Sequence, residues 1–121
     1  MRFDKFTIKS QELIQEAQGR AMEHKHQQIE PVHLLSGMLE DSQGIVVSVL
    51  RKIGASPNEM LSDVQQALKK LPVVEGTAEV YISGETKKVL EAAFSIASNM
   101  KDQYVSIEHI FLALADSKQS D

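Results

Sequence analysis

The sequence has no cysteine and no tryptophan, only four phenylalanines and two tyrosines, and just three prolines in 121 residues. Without cysteine there is no disulfide, no thiolate metal site and no thiol nucleophile, a pattern compatible with a reducing compartment. So few rings leave no aromatic platform for stacking single-stranded nucleic acid. Charge excludes a further class: 13 basic against 17 acidic residues give a formal charge of −4, and no basic face that would meet a phosphate backbone can be read. No run approaches the ~18 apolar residues of a membrane span, and the opening MRFDKFTIKS lacks the basic-then-apolar pattern of a signal peptide. A cytoplasmic protein is expected, with neither nucleic acid nor membrane as partner.

What is present is helical periodicity. At 42% hydrophobic and 25% charged residues, the chain has the composition and length of one compact domain over residues 1–121. Leu13, Ile14, Ala17 and Ala21 follow three-and-four spacing behind Thr7, a candidate N-cap, so a first helix is expected over 8–24. Val32, Leu34, Leu35, Met38 and Leu39 predict a second over 31–40, with Pro31 in its first turn and Glu30 at its positive end. GIVVSVLRKIG (44–54) is rich in β-branched residues, yet Val46, Val49, Leu50 and Ile53 keep the helical register and Gly54 is placed as a stop. Ser56-Pro57-Asn58-Glu59 is a capping-box start for a fourth helix with Met60, Leu61, Val64, Ala67 and Leu68 inward, ended by Pro72. Residues 71–82 read as an irregular connection, followed by helices from about Ser83 to Met100 and from about Ser106 to Ala115. The predicted fold is all-α with six helices and no sheet.

The chain also repeats itself. Shifted by 76 positions, Phe6 to Leu39 align with Ile82 to Ala115 without a gap: Leu13 and Ile14 fall on Val89 and Leu90, Ala17 and Ala21 on Ala93 and Ala97, Thr7 on Ser83, and His33 on His109. This predicts a pseudo-twofold pair of helical units, repeat one over 1–76 and a partial repeat two over 77–121. The second unit stops after two helices, so roughly 30 further residues would be needed to complete it. Apolar surface near Ile110, Leu112 and Leu114 is therefore expected to need a cover from outside residues 1–121, because Val46, Val49 and Leu50 should cover the equivalent surface in the first unit.

The twin helices differ in that the fifth carries apolar residues around most of its circumference. Where the first has Glu16, Gln18 and Arg20, the fifth has Ala92, Phe94 and Ile96, leaving two readings: the fifth helix is more deeply buried, or it exposes an apolar groove. His24 and His26 lie at a helix end, where imidazole suits the dipole, without the convergent partners a metal needs. His33 and His109 open equivalent helices, and no Ser-His-Asp or Glu-x-x-His spacing joins them to a nucleophile.

The duplicated unit, MRFDKFT, IEPVHLL and the connecting LPVVEGT together make the chain resemble the N-terminal domain of the ClpB-type disaggregases, AAA+ members of the Clp unfoldase family. There is no G-x-x-x-x-G-K-[ST], so the chain is expected to be a binding module rather than an enzyme, with no cofactor of its own and ATP bound by other domains of a parent protein. The resemblance implies a module tethered to a hexameric ATP-driven ring that threads unfolded or aggregated proteins, with a co-chaperone or adaptor as a further partner. It implies a polar patch at Thr7, Asp102 and Glu108 beside an apolar groove whose positions match Ala92, Ile96 and His109, the histidine departing from the apolar residue expected there. The alternative is an adaptor-docking N-domain of a ClpA- or ClpC-type unfoldase. Phosphoarginine reading, as in the ClpC type, would call for threonine-glutamate pairs at both helix starts, whereas Pro31-Val32 and Ile107-Glu108 stand here. A small hydrolase using His33 or His109 is a third reading, for which the sequence offers no placed nucleophile.

Overall fold

In a computed structural model of the chain, residues 3–76 and 79–116 are described. Among them, six α-helices form where the periodicity predicts: α1 (Ile8–Glu23), α2 (Pro31–Glu40), α3 (Ile45–Lys52), α4 (Pro57–Lys69), α5 (Gly84–Asn99) and α6 (Ile107–Asp116). The hydroxyls of Thr7, Ser56 and Ser83 accept backbone N–H bonds from Ser10, Glu59 and Thr86 and so cap α1, α4 and α5. The β-branched stretch is helical because its apolar side chains share one face: Val46 and Leu50 are buried, and Gly54, at φ +83°, turns the chain out of α3.

The expectation of no sheet is corrected. Gln28–Ile29 (β1) and Tyr81–Ile82 (β2) form a two-residue parallel pair, and Phe6 bridges Val105 in the same sense. The extended residues that lead into α1 and α5 lie beside those that lead into α6 and α2, and their peptide groups must be paired where water is excluded. Two residues are too few to show alternation, which is why these strands cannot be read in the sequence.

The pairings obey the internal repeat. Ser10 Oγ donates to the Val105 carbonyl at 2.9 Å, and at the equivalent place Thr86 Oγ1 donates to the Ile29 carbonyl at 2.7 Å. Thr7 Oγ1 donates in turn to Ser10 Oγ (2.9 Å), as Ser83 Oγ does to Thr86 Oγ1 (3.0 Å). Each unit thus inserts a cap relay into the other, across a pseudo-twofold axis.

The core is continuous through both units. The residues that α1 buries, Ser10, Leu13, Ile14, Ala17 and Ala21, stand in register with those that α5 buries, Thr86, Val89, Leu90, Ala93 and Ala97. α5 packs on α6, α4 and α1 pack on α2, and α3 crosses from the first unit to pack on α6. With α1, α2, α3 and α5 all packed on α6, the expected need for an outside cover is overturned at two of three positions: Ile110 and Leu114 are 0% and 2% exposed, while Leu112 is 46% exposed. α3 thus serves both units at once, which a reading that kept each unit's apolar residues to itself could not foresee.

Leu90→Ala should therefore cost about 2–5 kcal/mol of unfolding free energy, and Leu112→Ala less than about 1 kcal/mol, because only the first leaves a cavity. Urea denaturation followed by circular dichroism measures both, and equal losses would contradict this core.

Candidate functional site

Two features stand out once the helices are placed: the joints between the paired helices, and the grooves along them. α1 ends with Lys25 at φ 60° and α5 with Lys101 at φ 63°, left-handed positions that a glycine would occupy more easily. The chain is held in that turn by Lys25 N–H to Met22 carbonyl (3.1 Å) and His26 N–H to Ala21 carbonyl (2.8 Å), and equivalently by Lys101 to Ser98 (3.0 Å) and Asp102 to Ala97 (2.9 Å). The turn aims the next side chain, His26 in one unit and Asp102 in the other, at the helix that follows.

There each meets a buried histidine. His33 Nδ1 accepts the Glu30 N–H at 2.8 Å and His109 Nδ1 accepts the Ser106 N–H at 2.9 Å, so each ring satisfies one orphan donor at the start of its own helix. The other ring nitrogen, Nε2, lies 2.9 Å from His26 Nδ1 in the first unit and 2.8 Å from Asp102 Oδ2 in the second. His33 is 0% and His109 4% exposed. Burial, followed by the neighbouring His26, pushes the His33 pKa down to about 4, and burial lowers that of His26.

The second joint brings Ser106 Oγ within 3.0 Å of His109 Nδ1, so that serine, histidine and aspartate stand in line. Sequence spacing did not suggest this arrangement. It is a cap rather than a hydrolytic triad, because the one lone pair of Nδ1 already faces the Ser106 N–H and a general base needs it free. The first joint makes the same backbone bond with Glu30 in place of the serine.

The grooves run beside the joints. One, of about 460 Å³, lies between α1, α2 and α3 and is closed by the start of α6; Thr7, Leu13, Glu16, Met38, Ile107 and Glu108 line it. Its floor narrows at Gly37, where a Cβ would stand 2.7 Å from Leu13 Cδ1 and 3.0 Å from Arg20 Nη1. Another, of about 550 Å³, lies between α5 and α6, lined by Val89, Ala92, Ile96 and Ala113 with Glu85 and Lys88 among the charged residues at its edge. By the 76-residue register, Ala92, Ile96 and Ala113 stand where the first groove and its flank have Glu16, Arg20 and Gly37.

The six residues singled out in the sequence therefore fall in three places. Thr7 and Glu108 share the first groove, Ala92 and Ile96 the second, and Asp102 and His109 are bonded to each other at the second joint. Asp102 keeps 48% of its side chain exposed, whereas 5% of the His109 side chain is exposed and both its ring nitrogens have partners within the chain. Of the two readings of α5, deeper burial is excluded: it buries the same register positions as α1, and Phe94 stays 40% exposed. The His26–His33 contact was missed, although the register that aligned His33 with His109 also aligns His26 with Asp102. Among the described residues, no cluster of three or more histidine, cysteine, aspartate or glutamate side chains could hold a metal ion, and no helix is long and apolar enough to cross a membrane.

A duplicated, reciprocally capped helix pair defines a small all-α module. The chain belongs to the Clp repeat (R) N-terminal domain family, whose model matches residues 5–121. It is similar to the chaperone protein ClpB of Rickettsia felis, with 43% identity over 116 residues that cover 94% of this chain and 14% of that protein. The chain thus spans 14% of the length of the curated relatives it matches. Among solved structures, the Hsp104 N-terminal domain of Candida albicans matches with a TM-score of 0.88 at 24% identity, covering 96% of this chain and 77% of that one. The ClpV N-domain in complex with a VipB peptide matches with a TM-score of 0.78 at 22% identity, covering 94% and 70%.

A cap and a triad respond differently to mutation. Ser106→Ala keeps the backbone bond to His109 and should cost less than about 1 kcal/mol, whereas His109→Ala leaves a cavity and an unpaired Ser106 N–H and should cost about 2–4 kcal/mol. Thermal unfolding reads both values, and ester turnover above buffer background that Ser106→Ala abolishes would contradict the cap.

Proposed function

We propose that this chain is the substrate-recognition module of an ATP-dependent protein disaggregase or unfoldase, and that it holds unfolded or aggregated polypeptide in the groove between α5 and α6. The observation that carries this reading is the difference between twins. α1 and α5 bury the same register positions, yet outside that stripe α5 carries Ala92 and Ile96 on the groove side and Phe94 away from it, where α1 has Glu16, Arg20 and Gln18. Packing inside the chain leaves Ala92 and Phe94 exposed and Ile96 only half-covered, and apolar side chains left open to solvent suit an apolar partner. Membership of the Clp N-terminal family and the likeness to a ClpV N-domain that holds a peptide support the same reading.

The groove suits weak capture. A few apolar side chains buried at roughly 25 cal/mol per Å² yield several kcal/mol before the cost of ordering an unfolded chain, so affinity should be on the order of micromolar or looser. A module that delivers cargo to a motor gains from letting go. Thr7 and Glu108 in the first groove then form a separate contact region, which also suits an adaptor, while the exposed carboxylate of Asp102 stands apart at the second joint.

Fluorescence anisotropy with a labelled, permanently unfolded model protein tests the proposal. Ile96 is half-buried against the core at the groove, so Ile96→Asp should weaken binding by about tenfold or more while helical circular dichroism is kept. A folded Ile96→Asp chain that binds as tightly as the parent would exclude this groove. Loss of binding in Glu108→Lys alone would move the site to the first groove.

A further inference from the structure

The two joints share one backbone geometry but differ in the group that receives the buried imidazole. In the second it is a carboxylate; in the first it is another imidazole, His26, itself 5% exposed. The bonds dictate the tautomers. Because His33 Nδ1 accepts the Glu30 N–H, neutral His33 carries its hydrogen on Nε2 and donates it to His26 Nδ1, which leaves the His26 hydrogen on Nε2. Neither ring can take a second proton in place. On His26 Nδ1 it would set two N–H groups face to face across 2.9 Å, and on His33 Nδ1 it would set a ring N–H against the Glu30 N–H.

We propose that the first joint is an acid-released latch, closed while both imidazoles are neutral, whose protonation frees the turn between α1 and α2 together with the strand pair and the 70–76 segment docked on it. Those elements are fastened directly to the latch. Val74 N–H donates to the Lys25 carbonyl (2.9 Å), Tyr81 N–H to the Gln27 carbonyl (3.0 Å) and Ser83 N–H to the Ile29 carbonyl (3.2 Å). In the second joint the acceptor is a carboxylate rather than a second imidazole, so the bond from His109 Nε2–H does not depend on a neutral partner ring. The device thus loosens one unit and leaves the α5–α6 pair in place.

The surroundings do not reverse this. From α1 come Arg20, Glu23 and the neighbouring His24; from α2 and the residue that caps it, Glu40 and Glu30; from α4, Lys69; and from the following segment Glu75, near Lys25. Arg20 holds Glu40 at 2.6 Å, so that carboxylate is engaged, and His24 and Arg20 both oppose further positive charge at His33. With the folded pKa of His33 down at about 4 and that of His26 also lowered, the open joint binds more protons than the closed one below about pH 6.5. Stability of the joint is complete above that value and declines as pH falls toward about 4.

Amide hydrogen exchange of the 121-residue chain, corrected for intrinsic rates, tests the latch. Between about pH 7.5 and about pH 5, protection at Glu30, Tyr81 and Ser83 should fall by about tenfold or more, and at Thr7, Val105 and Ser106 by less than about threefold. His26→Asp, which copies the second joint, should remove the acid response of the first, and Asp102→His should install it in the second. Nitrogen NMR of the parent supplies a readout that needs no variant: His33 should remain an Nε2–H tautomer, uncharged at about pH 5. Equal responses in the two joints, a His33 that titrates near the ordinary value of about 6.5, or swaps that fold but leave the responses unchanged would each overturn the proposal.

Discussion

Everything in this fold depends on an exchange of hydroxyl-to-carbonyl bonds between its two halves. Ser10 reaches the Val105 carbonyl and Thr86 reaches the Ile29 carbonyl, each fed by the N-cap hydroxyl three residues before it. A hydroxyl buried without an acceptor costs about 1–3 kcal/mol, so neither helix start can be satisfied unless the other unit is in register. The parallel pairing of Gln28–Ile29 with Tyr81–Ile82, and of Phe6 with Val105, is the backbone expression of the same constraint. It fixes where α1 and α5 begin, and hence which of their faces meet the core.

From that frame the joints follow. Once α1 and α5 are anchored at their starts, their ends are turned by lysines in left-handed conformation, and the residue after each lysine lands beside a histidine that caps the following helix. The tension between capping and titration is resolved differently in the two units: a carboxylate accepts from His109, an imidazole from His33. Duplication kept the geometry and let the chemistry diverge.

The grooves diverged in the same way. Both run along a helix whose inner face is committed to the core, so only their outer residues were free to change, and those are the positions where acidic and basic side chains in one unit face apolar ones in the other. α3 adds an asymmetry of its own by leaving its unit to pack on α6. A pseudo-symmetric scaffold thereby offers two unlike surfaces, one with Thr7 and Glu108 beside Leu13, Met38 and Ile107, the other with Ala92 and Ile96 edged by Glu85 and Lys88.

The sequence by itself determined the helices, their starts and the 76-residue repeat, because these rest on local capping chemistry and on the 3.6-residue period, both written in neighbouring residues. It also carried the contrast between Ala92, Phe94, Ile96 and their charged twins, though not which way that contrast would be resolved. Only the tertiary structure decided that α5 is no more buried than α1, that Thr7 and Glu108 stand in a different groove from Ala92 and Ile96, and that His109 serves as a cap. It alone paired Phe6 with Val105 across almost the whole chain and sent α3 onto α6. Those outcomes depend on which distant surfaces meet and exclude water, and no periodicity within one segment records the identity of the surface that will cover it.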